Sequence, residues 1–214
     1  MIDCTVAGER LALLPERAMY WLREKTLFIA DFHLGKAAAL RSAGIPMPSG
    51  TTTDNVARLS SAVASTGAKR VVFLGDFLHA KASKAPSTEA RFGAWRETHR
   101  HLDLVLVRGN HDAHAGDPAM EWRIECIDEG TAFGPFIANH HPQAARGGYV
   151  LAGHIHPAVR LSDEGGSFKL PCFWFSRKVG VLPALGAFTG TAIVRPREGD
   201  QVYVIAEDEV LRVG

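Results

Sequence analysis

Cysteine is scarce in this 214-residue chain: Cys4, Cys126 and Cys172 are far apart, odd in number and form no CxxC pair. That excludes a disulfide scaffold and fits a reducing, cytoplasmic setting. Surplus charge is missing as well. Lys and Arg number 24 against 23 Asp and Glu, for a formal net charge of +1. The whole molecule therefore lacks the basic excess that announces a nucleic-acid binder, and any grip on a phosphate backbone must come from a local patch or from metal ions. Long apolar runs are absent too. The most apolar stretch, 179–194, is broken by Pro183 and by Gly180, Gly186 and Gly190, and it falls short of the roughly 20 residues a membrane span needs. Residues 1–10 show no basic segment leading into an apolar core, so no signal peptide is expected. Repeats, low-complexity tracts and linkers are also lacking. With 46% hydrophobic residues to furnish a core, the expectation is a soluble chain forming a single domain over residues 1–214.

What is present is a succession of short elements. The first thirty residues alternate apolar runs with turn signals, which predicts an antiparallel opening that delivers a buried strand at Thr26. Helical periodicity follows at Val56, Leu59 and Val63, with Thr53 or Asp54 as the N-cap, and again at Phe92, Trp95 and His99 behind Pro86. Strand-like runs at 71–74 and 104–107 flank the second helix, the alternation of a layered α/β core. The widest structureless stretch is 41–52. Strand-like runs then dominate, at 136–138, 149–152, 158–161, 168–175, 179–182, 192–194 and 202–205, and Gly165 and Gly166 suggest a hairpin between Leu161 and Phe168. Alternation puts Trp174 on the face opposite Phe173 and Phe175.

The informative feature is where the polar residues fall. Five apolar strands each run into side chains suited to metal or proton chemistry: Asp31 and His33, then Asp76, then Asn110-His111-Asp112, then His140, then His154 and His156. Ligands bind beyond the carboxyl ends of strands in open α/β sheets, so these tips can converge. Two Asp, one Asn and four His suit a pair of divalent ions if one Asp bridges. Mixed imidazole and oxygen donors without thiolate favour Mn, Fe or Zn over an all-oxygen Mg or Ca site. His140 and His141 are adjacent, and in an extended segment only one of them can face the site. Singly, each motif is weak, since Asp-x-His is common by chance and an Asn-His-Asp loop can be a plain turn. Their combination at five strand ends carries the weight. His79, one short loop past Asp76, and Arg146, in a Gly-rich stretch, are candidate substrate contacts. Lys81, Lys84, Arg91, Arg96 and Arg100 could line a phosphate groove or simply form the wet face of a helix.

The ordered series Asp31-Phe32-His33, Gly75-Asp76, Gly109-Asn110-His111-Asp112, His140 and Gly153-His154-Ile155-His156 resembles the complete signature of the calcineurin-like metallophosphoesterases, over about two thirds of the chain. The resemblance implies an α/β fold, a four-layer α/β/β/α sandwich of two mixed β-sheets. It implies a first metal on Asp31, His33, Asp76 and His156, and a second on Asp76, Asn110, His140 and His154, with Asp76 bridging. His140 is taken over His141 as the first residue of a His-x-Pro unit. A metal-bridging hydroxide would attack phosphorus in line, His111 would protonate the leaving oxygen, and Asp112 would orient His111. Gly75, Gly109 and Gly153 are expected to provide sharp turns at the strand tips. The opening Asp31-Phe32-His33-Leu34-Gly35-Lys36, the 182–190 tail and the short length resemble, within that family, the bacterial DNA ligase-associated metallophosphoesterases. That likeness implies a manganese-dependent phosphodiesterase or endonuclease in DNA repair, with DNA as substrate and a ligase, a helicase and a second nuclease as partners. A phosphomonoesterase or nucleotide-type hydrolase of the same fold and a non-catalytic binding scaffold are the competing readings.

Overall fold

A computed structural model describes residues 1–48, 50–163 and 166–213. Strands β1 (Ile2–Val6), β2 (Glu9–Leu14), β3 (Ala18–Trp21) and β4 (Thr26–Ile29) form the expected antiparallel opening. Helices α1 (Lys36–Ser42) and α2 (Thr51–Thr66) carry the chain to β5 (Arg70–Leu74), which pairs parallel to β4. Helix α3 (Pro86–Thr98), with Pro86 in its first turn, leads to β6 (Asp103–Val107); helix α4 (Asn110–Ala115) leads to β7 (Ile124–Ile127). These seven strands make one sheet in sequence order, parallel from β4 to β7.

The second sheet takes β8 (Thr131–Phe133), β9 (Phe136–Ala138), β10 (Tyr149–Ala152), β11 (Pro157–Asp163), β12 (Gly166–Phe175), β13 (Val179–Val181), β14 (Ala192–Ile193), β15 (Gln201–Ala206) and β16 (Glu209–Arg212). β9, β10 and β13 run parallel, so this sheet is mixed as well. β11 and β12 pair as the expected hairpin, with Leu161 opposite Phe168; Gly165 lies outside the described residues.

Strand alternation divides the core. Leu27, Ile29, Val71, Phe73, Leu104 and Leu106 face α2 and α3, which contribute Val56, Leu59, Phe92 and Trp95. Their neighbours Phe28, Val72, Leu74, Val105 and Val107 face the second sheet and meet Phe136, Leu151, Phe173 and Phe175. The result is the expected pairing of two mixed sheets with helices. The helices lie on the first sheet, and among the described residues none follows Trp122. On the outer side of the second sheet, Ala145 packs on Ile137, Val150 and Ala152, and Val194 packs on Val159 and Cys172. Trp174 joins that outer cluster, opposite Phe173 and Phe175, as strand alternation requires. No helix among the described residues is long and apolar enough to cross a membrane.

Three local expectations are corrected. The stretch 41–52 is not structureless throughout: α1 begins at Lys36 and runs into it. Helix α2 starts at Thr51 behind Gly50, whose φ of 97° is a left-handed conformation a β-carbon disfavours, so neither Thr53 nor Asp54 is the cap. Arg96 is not on a wet face. It is buried and donates from Nε to the Trp122 carbonyl at 2.7 Å.

Between the sheets, the Phe136 ring lies edge-on to Trp21 at 5.1 Å and to Phe28 at 6.2 Å. Phe136→Ala should therefore lower unfolding free energy by about 3–5 kcal/mol. Phe168→Ala, on the exposed hairpin, should change it by about 0.5 kcal/mol or less. Urea titration of both variants checks the contrast.

Candidate metal centre

The site lies where β4, β5, β6, β9 and β10 end, and its side chains are aimed by an unusual backbone. Asp31, His33, Asp76, His154 and His156 all have positive φ, between 46° and 69°. Non-glycine residues seldom adopt that left-handed region, and each such residue costs roughly 1–3 kcal/mol. The turn reverses the chain just past the strand and throws the side chain inward.

Loop-to-loop bonds hold these turns. The His154 N–H donates to Asp31 Oδ2 at 2.9 Å and the His111 N–H donates to Asp76 Oδ1 at 3.0 Å. The His33 N–H donates to the Asp76 carbonyl at 2.9 Å. One of the three glycines acts as expected and two do not. Gly75 has φ of 78° and does turn the chain. At Gly109 and Gly153 the requirement is space: a β-carbon would fall on the Asp76 carboxylate at the first and 2.5 Å from Asp31 Oδ2 at the second.

Asp31, His33, Asp76, Asn110, His140, His154 and His156 come together. His140 Nε2 lies 3.0 Å from Asn110 Oδ1, 3.0 Å from His154 Nδ1 and 3.4 Å from Asp76 Oδ1. On the other side, His33 Nε2 is 3.8 Å from Asp76 Oδ2 and His156 Nε2 is 3.5 Å from Asp31 Oδ1. Donor atoms of Asp31, His33 and His156, and those of Asp31, Asp76 and His140, each gather within 4.8 Å of one another. His140 is fully buried, whereas the half-exposed His141 ring meets Glu129 Oε1 at 3.1 Å.

This donor set fits divalent cations. His156 Nε2 is buried without a hydrogen-bond partner among the described residues, a costly state for a polar atom that a metal would relieve. Burial holds His33 and His140 below the usual imidazole range, hence neutral and free to offer a lone pair. At His156 burial acts downward too, but the Asp31 carboxylate 3.5 Å away lifts it overall. Burial raises the Asp76 carboxyl against the bond from His111. His33 and His79 are both depressed, first by burial and then by the charge of Lys36. A half-buried cation thus stands near the cluster, although in the sequence it figures only as part of a motif.

His111 and His79 lie on one edge of the cluster. Their rings stack at 4.7 Å, and His111 Nε2 is 3.9 Å from Asp76 Oδ2. His79 Nδ1 is 3.4 Å from His33 Nδ1, and burial pushes its pKa down to about 4. Arg146 is exposed in the loop between His140 and β10.

The expected pairing of Asp112 with His111 does not form. His111 Nδ1 meets the His79 carbonyl at 2.6 Å. The buried Asp112 carboxylate instead accepts from the N–H groups of Leu78 at 2.9 Å, Gly109 at 3.0 Å and Phe77 at 3.2 Å. It lies in the first turn of α4 and clamps the loop after β5; burial pushes its pKa up to about 6 against those three bonds.

Another neighbour is the 182–190 tail, whose contact with the site side-chain type does not announce. The segment after β13 runs beside Asp31: Leu185 N–H bonds the Ala30 carbonyl at 2.9 Å, Gly186 N–H bonds the Asp31 carbonyl at 3.1 Å, and the Thr189 carbonyl meets His156 Nδ1 at 3.1 Å. A bond to that carbonyl requires Nδ1–H and leaves Nε2 facing the cluster. Backbone carbonyls carry no sequence signature, which is why side-chain type could not reveal it.

The family model described as calcineurin-like phosphoesterase matches residues 24–166 of the chain. The solved structure of Pseudomonas putida nuclease MPE aligns with a TM-score of 0.87 and 37% identity, covering 99% of each chain. YfcE, a phosphoesterase from E. coli, aligns at 0.41 with 13% identity, over 88% of this chain and 97% of that one. No curated protein matches the chain.

Removing the Asp112 clamp should strand buried N–H groups, each costing about 1–3 kcal/mol. Asp112→Ala should thus lose at least about 2 kcal/mol in urea unfolding, and a loss near zero would show that these bonds do not hold the loop.

Proposed function

This chain belongs to the calcineurin-like phosphoesterase family, and from that premise we propose that it is a phosphodiesterase cutting nucleic acid. The observation that carries the reading is the convergence of Asp31, His33, Asp76, Asn110, His140, His154 and His156 on one cluster. It is supported by likeness over nearly the whole chain to a protein described as a nuclease.

In this proposal Asp31, His33, Asp76 and His156 hold one divalent cation and Asp76, Asn110, His140 and His154 hold the other, manganese being the preferred metal and iron or zinc the alternatives. Two such ions supply Lewis acidity that activates water and offsets charge growing on phosphoryl oxygens. The residues do the rest. Asp76, between the two donor groups, sets their separation. His111, with Nδ1 committed to the His79 carbonyl, presents Nε2 as the atom that can give a proton to the leaving oxygen. His79, stacked on His111, restrains that ring and borders the substrate. Asp112 acts through the loop rather than on the proton. The same reading takes the chain as one domain over residues 1–214, working on DNA in the cytoplasm beside a repair ligase, a helicase and a second nuclease; its support is the likeness of the 31–36 and 182–190 segments to that group.

Metal-stripped protein should regain cleavage of bis-p-nitrophenyl phosphate on addition of manganese, zinc, iron or magnesium in turn, with manganese the most effective. Faster turnover of p-nitrophenyl phosphate would favour the monoesterase. Bound metal without turnover of either ester would favour a scaffold. Asp76→Asn should lose both metals together by elemental analysis. His111→Ala should keep its metal and lose about 10²–10⁴-fold in kcat; full activity in that variant would remove His111 from the proton-transfer role.

A further inference from the structure

The near-neutral net charge demands a local patch if a phosphate backbone is to be held beyond the metal centre, and two arginine-bearing clefts compete for that role. The larger, about 830 Å³, includes Arg70, Arg96, Arg100 and Arg123. Three of those four cations are already committed, leaving only Arg123 without an ion pair among the described residues: Arg70 pairs with Asp103 at 3.7 Å, Arg100 pairs with Glu97, and Arg96 is buried on the Trp122 carbonyl. A strand that engaged more than one cation there would have to break existing pairs.

The second cleft, about 560 Å³, is different. It is lined by Arg177, Lys178, Arg195 and Arg197 beside Trp174. All four cations are exposed, and among the described residues none of them forms an ion pair. Of the two acids in the cleft, Asp200 is occupied, accepting from Trp174 Nε1 at 2.8 Å and from the Arg197 N–H at 2.9 Å. That leaves Glu198 against four free cations. Trp174 forms a wall whose ring orientation is fixed by the bond to Asp200.

Topology connects this cleft to the metal centre. β13 runs parallel to β10, with Val179 opposite Val150, so Arg177 and Lys178 sit at the starting end of those strands. His154 lies past the finishing end of β10. The loop that begins at His140 passes over the outer face of the second sheet, places Ala144 in the cleft, carries Arg146, and returns at Tyr149. The four residues of β10 span about 13 Å, roughly four steps of a nucleic-acid strand.

From these facts, the geometry points to a second binding site for the substrate: the cleft of Arg177, Lys178, Arg195 and Arg197 holds the phosphate backbone of a nucleic-acid strand whose scissile phosphate lies at the metal centre. This deepens the phosphodiesterase reading and rests on it for the strand's placement. A concave cleft linked by one loop to the metal cluster favours a strand over an anionic lipid surface, which would need a broad, flat face.

The test uses the full chain with Arg177, Lys178, Arg195 and Arg197 all changed to Glu, and a second set changed to Gln in case reversal prevents folding. Binding of a fluorescent 20-nucleotide single strand is followed by anisotropy with metal-stripped protein, so that cleavage cannot intervene, across a series of salt concentrations. Substitution should weaken binding at least tenfold at low salt and flatten the log–log salt dependence by about 0.7 for each phosphate that is no longer neutralised. Manganese-supported turnover of bis-p-nitrophenyl phosphate should stay at the wild-type value. Unchanged oligonucleotide affinity would overturn the proposal, as would loss of binding to phosphatidylserine vesicles with oligonucleotide binding intact. Wild-type protein inactive on the small diester would sink the phosphodiesterase reading instead, while the anisotropy series would still decide whether the cleft holds a strand.

Discussion

Backbone geometry at the strand ends is the constraint on which the rest depends. Asp31, His33, Asp76, His154 and His156 can point into one small volume only because the chain turns left-handed at each of them. Such turns are unfavourable for residues with a β-carbon, so something must hold them. The holding groups are reciprocal: the Asp31 carboxylate receives the N–H of His154, the Asp76 carboxylate receives that of His111, and Asp112 receives those of Phe77, Leu78 and Gly109. The loops after β5, β6 and β10 are each fastened by an acid from another loop. The side chains that would bind metal therefore also bind the loops that present them, so charge at the site and strain in the backbone offset one another.

The cluster is divided between the sheets. Asp31, His33, Asp76 and Asn110 come from the ends of β4, β5 and β6, while His140, His154 and His156 follow β9 and β10. The apolar interface between the sheets, in which Phe28, Phe136, Phe173 and Phe175 are buried, thus does more than stabilise the fold. It sets the separation of the two halves of the donor set. Close approach depends on missing side chains, since Gly109 and Gly153 leave room for the Asp76 and Asp31 carboxylates.

Electrostatics shows why a net charge is a poor guide to binding. With a formal charge of +1 the molecule is almost balanced, yet the balance is uneven. Arg108 is paired with Asp117 at 2.8 Å and Asp128 at 3.2 Å, while the cations around Trp174 are free of ion pairs among the described residues. Fields near a surface follow local arrangement more than totals, because screening limits each charge to about 10 Å at moderate salt.

The sequence by itself determined the alternation of strands and helices, the antiparallel opening, the two faces of β12 and the set of polar residues at five strand ends. These are local properties: side-chain period and residue type are written along the chain. It could not show α1, whose seven residues are too few for helical periodicity to stand out, nor the start of α2 behind Gly50, which a left-handed φ decides. Tertiary structure alone decided which of His140 and His141 is buried in the cluster, that Asp112 clamps a loop instead of orienting His111, and that the Thr189 carbonyl meets His156. Each of those depends on groups brought together from distant parts of the chain, as with Asp112 and Phe77, 35 residues apart. Such meetings are fixed by how the loops pack, and neither composition nor spacing encodes them.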